Sequence, residues 1–147
     1  MSCETAVRLQ HLRSGVTVVG SPVDEAKGFV RSRQPLLAVE LLEPWLEAHP
    51  DDAGAWSALA GARYELHNYQ DALAAAEQAV KYRPRSARNW CNLGMLLRKV
   101  GRFYEAERTL YRALSIDASY DRARVELRKI HEIRTGDRVI EDDDDFA

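Results

Sequence analysis

The sequence predicts an all-α fold in which helix hairpins stack into a right-handed superhelical solenoid. Two tryptophans, Trp56 and Trp90, stand 34 residues apart, and many residues around them recur at the same interval. Other pairs at this spacing are Leu59 and Leu93, Ala72 and Ala106, Ala79 and Ala113, and Pro50 and Pro84. A fixed period of this length is typical of arrays in which each two-helix unit packs against the next.

The composition agrees with a helical domain that has one core. The chain has 147 residues, of which 46% are hydrophobic and 30% are charged, so it is long enough to bury a core without disulfides. Its net charge is −2, and five acidic residues stand together at 141–145, so the rest of the chain is slightly positive. Because the basic residues are few and are not interleaved with exposed aromatic residues, no nucleic-acid partner is expected.

The sequence contains no targeting segment and no cysteine framework. Cys3 and Cys91 are too far apart in the chain to suggest a set of disulfides or a metal site. The longest apolar stretch of the first twenty residues, Val16–Val19, is too short for a signal peptide or a membrane span. We therefore expect a cytoplasmic protein that does not insert into membranes.

Two extensions flank the predicted array. Residues 1–21 contain a short helix predicted at Glu4–Leu12 and a β-prone stretch at Gly15–Val19, which either caps the first helix or adds to the sheet of a partner. Residues 137–147 form an acidic tail that is expected to be disordered on its own. A second hypothesis places this tail in the groove of the array, with Phe146 as an apolar anchor.

The array itself is predicted to contain three units and a closing helix, at residues 22–52, 53–86, 87–120 and 121–136. The first unit is degenerate, and Pro44 inside its second helix is expected to bend that helix. The next two units show apolar residues at helical spacing, with hairpin turns at His67–Asn68 and at Gly101. Small residues at equivalent positions are expected to let the helices approach closely: Ala60, Ala72, Gly94 and Ala106.

These units resemble the tetratricopeptide repeat, whose pattern begins with a tryptophan, a leucine, a small residue and a tyrosine at fixed spacing. The start of this pattern is found at Trp56–Ala60 and at Trp90–Gly94. The alanines and closing prolines of the family are matched by Ala72, Ala79, Ala106, Ala113, Pro50 and Pro84. The chain departs from the pattern at Ala118, which replaces a closing proline, and at Arg63 and Leu97, which replace the tyrosine.

The resemblance implies a concave groove, lined by the first helix of each unit, that binds a polypeptide. The groove positions of the family correspond to Ser57, Gly61, Tyr64, Arg88, Asn92, Met95, Arg98, Lys99, Arg122 and Lys129. The groove would have a small, shallow floor at one end and a cationic wall around Arg98 and Lys99 at the other. An acidic segment of a protein partner would suit this wall, although solvated basic residues would give the same pattern.

One known binding mode of the family is not expected here. Some members hold a C-terminal carboxylate with a clamp of five residues, and the resemblance places Asn92 and Arg122 at two clamp positions. Ser57, Gly61 and Glu126 occupy the other three and cannot donate hydrogen bonds as the clamp residues do. The resemblance therefore implies a different way of holding the partner.

The sequence favours a non-catalytic adaptor or scaffold that binds a polypeptide segment. The four histidines are scattered, and no metal-binding, phosphate-loop or nucleophile motif is present, so neither enzymatic activity nor a cofactor is expected. Two alternatives remain open, a small chaperone or assembly factor for one client and a permanent structural subunit of a larger complex. Self-association through the degenerate first unit, which would give a homodimer, is also left open.

Overall fold

A computed structural model describes residues 20–136, and this part of the chain consists of seven α-helices and the turns between them. The helices are α1 (Pro22–Arg31), α2 (Pro35–Ala48), α3 (Ala53–Glu65), α4 (Tyr69–Tyr82), α5 (Ala87–Lys99), α6 (Phe103–Ile116) and α7 (Asp121–Thr135). Residues 20–136 contain no β-strand. The predicted all-α fold is therefore confirmed.

The helices form a stack in which each one packs against the next along the chain. Helix α1 also contacts α3, and α5 also contacts α7, so the first helix of a hairpin touches the first helix of a neighbouring hairpin at both ends of the stack. This local pattern of contacts is typical of repeat proteins. Helix α2 runs from Pro35 to Ala48 through Pro44.

The 34-residue period has a direct structural basis in the tryptophans. The indole Nε1 of Trp56 donates a hydrogen bond to the carbonyl oxygen of Pro50 at 2.8 Å, and that of Trp90 donates to the carbonyl oxygen of Pro84 at 2.7 Å. Each tryptophan thus fixes the turn that precedes its own helix. Each tryptophan is half-buried, so its ring packs against apolar residues while its indole N–H makes this hydrogen bond. Both properties explain why tryptophan recurs at this position.

The turn inside each hairpin uses one left-handed residue at the same position of the period. Arg33, His67 and Gly101 have φ angles of 61°, 58° and 82°. Glycine adopts this conformation freely, whereas a residue with a Cβ loses about 1 kcal/mol or more there. The predicted turn at Gly101 therefore has the residue that suits it best, and the turn at His67 forms because the packed helices on both sides hold it.

Small residues bring the two helices of a hairpin close together, as the sequence predicts. Ala60, Ala72 and Ala106 are completely buried. At Gly94 the approach is closer still, because an added Cβ would lie 2.6 Å from Cγ of Leu110. The residues predicted at Glu4–Leu12 and Gly15–Val19, and the acidic tail at 137–147, lie outside the described residues.

Candidate functional site

The ten predicted groove residues fall into two groups at opposite ends of the groove. Three of them, Ser57, Gly61 and Arg88, line an open cavity of about 370 Å³. The other seven lie toward α7, and Asn92, Met95, Arg98 and Lys129 are buried among them. The two ends therefore differ in the space that they offer to a partner.

The open cavity lies where α1, α3 and the beginning of α5 meet, and we call it the cationic pocket. Four basic side chains line it, Lys27 and Arg31 from α1, Arg83 from the turn after α4, and Arg88 from α5. The remaining lining residues are Val30, Gly54, Ser57, Ala58, Gly61, Ser86 and Asn89, so none carries a carboxylate. The pocket thus has basic side chains from α1, from the turn after α4 and from α5, and an uncharged side at α3.

Small residues on α3 create the space in this pocket. Gly54, Ser57 and Gly61 recur at intervals of three to four residues, so they lie on one face of the helix. Their short side chains leave the backbone of α3 close to the cavity, and Ser57 contributes a hydroxyl group that donates and accepts hydrogen bonds. The small residues that the sequence places at this end of the groove therefore line the cavity.

The other end of the groove is built around a buried carboxylate, and we call it the Glu126 cluster. Glu126 Oε2 accepts a hydrogen bond from Arg98 Nε at 2.9 Å, and its Oε1 accepts one from Lys129 Nζ at 3.0 Å. All three side chains are nearly inaccessible, with exposed fractions of 6% for Arg98, 5% for Lys129 and 2% for Glu126. The cluster joins α5 to α7 through charge-assisted hydrogen bonds.

The exposed cationic wall that the sequence predicts around Arg98 is wrong. The side chain of Arg98 is buried, and it shares the carboxylate of Glu126 with Lys129. Lys99 is half-buried, and its Nζ lies 5.8 Å from the centre of the Tyr64 ring, a cation–π distance. The positive surface of the described groove lies instead at the cationic pocket.

Buried neutral groups surround the Glu126 cluster. Burial raises the pKa of the Cys91 thiol to about 12, and the pKa of the Tyr64 hydroxyl is also raised to about 12, first by burial and then by the nearby Tyr69. Arg122 Nη2 lies 3.8 Å from the sulfur of Met95, which links α7 to α5. These contacts show that the groove end near α7 is a packed interior between helices.

Sequence reasoning missed three of the four cations in the pocket. Lys27 and Arg31 lie 34 residues before Gly61 and Glu65, so the family positions that gave the groove of the second unit also predict them. The degeneracy of the first unit concealed this correspondence. Arg83 lies in a turn, and no helical position of the family pattern points to it.

Residues 20–136 show neither a metal-binding group of side chains nor a membrane-spanning helix. No group of three histidine, cysteine, aspartate or glutamate side chains is placed to hold a metal ion in this part of the chain. No helix in the same range is long and apolar enough to cross a membrane.

Comparison with known proteins identifies the class of repeat. Residues 59–122 match the sequence model of a tetratricopeptide repeat family. The resemblance that the sequence predicts is therefore confirmed for these residues. No curated protein matches the chain.

Solved structures share the same fold at low sequence identity. A crystal structure of MamA has a TM-score of 0.75 at 20% identity, over 90% of this chain and 79% of that chain. The second TPR domain of human RPAP3, in complex with the HSP70 peptide SGPTIEEVD, has a TM-score of 0.72 at 22% identity, over 76% of this chain and 92% of that chain. The TPR2B domain of yeast Sti1, in complex with pHsp70, has a TM-score of 0.66 at 21% identity, over 80% and 98%.

Proposed function

We propose that this chain is a non-catalytic protein-interaction module that holds a polypeptide segment of its partner in the concave groove. The observation that carries the proposal is the cationic pocket, which combines an open cavity of about 370 Å³ with four basic side chains and no acidic one. A partner with an acidic segment fits this end of the groove, because opposite charge both speeds the encounter and fixes the register of binding.

The shape of the pocket also suits an extended polypeptide. Gly54, Ser57 and Gly61 present almost no side-chain bulk, so a bound backbone approaches α3 closely. The fold is compatible with this use, since the human RPAP3 domain was solved with a bound peptide that contains two adjacent glutamates. The Glu126 cluster then acts mainly as the joint that fixes α7, and contact with the partner is concentrated at the other end.

Three features of the proposal go beyond the fold. The chain has no catalytic role of its own, it works in the cytoplasm, and its partner is a protein. The dedicated chaperone and the permanent subunit differ from the adaptor in the number and the lifetime of partners. One experiment with a blocked groove distinguishes them.

The experiment fills the pocket and compares it with an equal change on the outer surface. Ser57→Phe places a ring in the cavity, and Ser115→Phe places the same ring at an exposed position of α6. Tagged full-length variants are used to capture partners from extract of the native host, with circular dichroism to confirm that both are folded. We expect Ser57→Phe to lose partners that Ser115→Phe retains.

The captured proteins decide between the alternatives. Several weakly bound partners would indicate a scaffold, and one stoichiometric partner that aggregates without this chain would indicate a chaperone. If a folded Ser57→Phe variant retained every partner of the wild type, binding in this groove would be disproved.

A further inference from the structure

We propose that the cationic pocket binds the phosphate group of a phosphorylated serine or threonine in the partner segment. This inference rests on the proposed function, because Gly54, Ser57 and Gly61 form the floor of the groove as well as one side of the pocket. A segment that lies along α3 would present a side chain to Lys27, Arg31, Arg83 and Arg88 from above this floor. Phosphorylation of the partner would then control its binding.

The charge of the pocket is uncompensated within residues 20–136. Most other arginines of this part of the chain pair with a carboxylate, as Arg63 does with Glu43 and Arg134 with Glu107. No carboxylate of the described residues pairs with any of the four basic side chains of the pocket, whose one side-chain hydrogen bond runs from Arg31 Nε to the carbonyl oxygen of Lys27. Four like charges around one cavity repel each other, so an anion that enters it relieves this repulsion.

The N-terminus of α5 adds to the positive character of the pocket. Arg88 belongs to the first turn of α5, which has no acidic residue there and is capped by the neutral Ser86. The N-terminus of a helix carries a partial positive charge that favours an anion. The N-terminus of α3 is different, because the carboxylate of Asp52 caps it and accepts hydrogen bonds from the backbone N–H of Ala55 and from Trp45 Nε1.

A phosphate group satisfies this pocket better than a carboxylate does. A phosphorylated serine carries a charge of about −1.5 to −2 and three terminal oxygens, so it accepts paired hydrogen bonds from more than one guanidinium group. A carboxylate has one negative charge and two oxygens, and it leaves more of the mutual repulsion in place. The residues that line the pocket include no aromatic ring on which a nucleobase would stack, which favours a phosphorylated protein over a nucleic acid.

The test is a binding titration of the full ¹⁵N-labelled chain, followed by NMR. The probes are three capped tripeptides, alanine–X–alanine, in which X is phosphoserine, glutamate or serine, all at one ionic strength. We expect the phosphoserine peptide to shift the amide signals of Gly54, Ser57 and Arg88 and to bind about tenfold more tightly than the glutamate peptide. The serine peptide should cause no shift at these amides.

Matched variants separate the pocket from general positive charge. Arg83→Gln combined with Arg88→Gln should abolish the preference for phosphoserine, whereas Arg85→Gln should preserve it, because Arg85 is exposed in the same turn but does not line the pocket. Equal affinity for the phosphoserine and glutamate peptides would overturn the inference and leave peptide binding intact. Stronger binding of an octathymidine or of a peptide of residues 137–147 would also overturn it, since the pocket would then serve nucleic acid or the tail of the chain.

Discussion

Gly94 shows how one residue sets the distance between two helices. An added Cβ there would lie 2.6 Å from Cγ and 2.8 Å from Cδ2 of Leu110, which is completely buried. In the preceding unit the equivalent positions hold Ala60 and Ala76, so the third unit combines a smaller residue on the first helix with a larger one on the second. The sequence predicted a small residue at 94, but only the contact with Leu110 explains why it is glycine.

Gly94→Ala should therefore destabilise the protein although alanine is the better helix former. Overpacking costs about 1–3 kcal/mol, which exceeds the gain of about 1 kcal/mol in helix propensity. The matched control is Gly28→Ala in α1, where an added Cβ meets nothing within 4 Å, and this change should stabilise by about 0.5–1 kcal/mol. Unfolding in urea measures both changes. In a Leu110→Ala background the penalty for Gly94→Ala should disappear, and a persisting penalty would contradict the proposed clash.

The buried thiol of Cys91 makes the free energy of unfolding depend on pH in the alkaline range. Its pKa rises from 9.0 to about 12 in the folded protein because burial disfavours the thiolate. Between these values the unfolded chain loses the proton first, so the stability that is fully present below pH 9 is lost as the pH rises toward 12. We expect the urea concentration at the midpoint of unfolding to be lower at pH 10 than at pH 8. This difference should be smaller in Cys91→Ala. Identical pH profiles for the two proteins would show that this thiol does not contribute.

Helix α7 is the element for which sequence reasoning was least complete. Its polar sequence correctly predicted a helix that closes the stack, because a last unit covers an apolar face and exposes a polar one. The burial of Glu126 could not be predicted, since its partner Arg98 lies 28 residues away on α5. Lys129, three residues further along α7, completes the cluster. The contribution of such a cluster to the free energy of unfolding depends on how the helices pack, which no local sequence pattern encodes.

Glu126→Gln should loosen α7 from the stack. The change removes the carboxylate that accepts hydrogen bonds from both Arg98 and Lys129, so the buried guanidinium of Arg98 loses the negative charge beside it. Loss of one partner in a buried pair costs about 3–5 kcal/mol. Glu107→Gln is the control, because Glu107 also binds an arginine of α7 but through an exposed pair worth less than about 1 kcal/mol. Equal unfolding free energies of the two variants would refute a structural role for the cluster.

At the scale of the whole molecule, the 34-residue period of the sequence predicted the fold, whereas the packing of the helices formed the site. The recurrence of Trp56 at Trp90 was sufficient to infer stacked hairpins, because each tryptophan performs the same local task in its own unit. The cationic pocket could be inferred only in part. Arg88 was predicted and Lys27 lies one period before Gly61, but Arg83 lies in a turn, and only the packing of the stack brings the three around one cavity.

The stack should also unfold in parts rather than as one body. Helix α1 has two buried residues, Ala26 and Phe29, whereas α5 has ten, and the main contacts run between helices one or two places apart along the chain. In such an array an end unit opens without disrupting the middle. Amides of α1 should therefore exchange with deuterium at least about tenfold faster than amides of α5.

Two leucine-to-alanine substitutions test whether destabilising one hairpin affects only the helices near it. Leu42→Ala in α2 and Leu110→Ala in α6 each truncate a completely buried leucine, at a cost of about 2–5 kcal/mol. Leu42→Ala should accelerate exchange in α1 and α2 and leave α5 and α6 nearly unchanged. Leu110→Ala should accelerate exchange in α5 and α6 most. If Leu42→Ala raised the exchange rates of all seven helices equally, the molecule would unfold as a single cooperative unit, and binding at the pocket near α1 would stabilise the whole stack rather than its first hairpins.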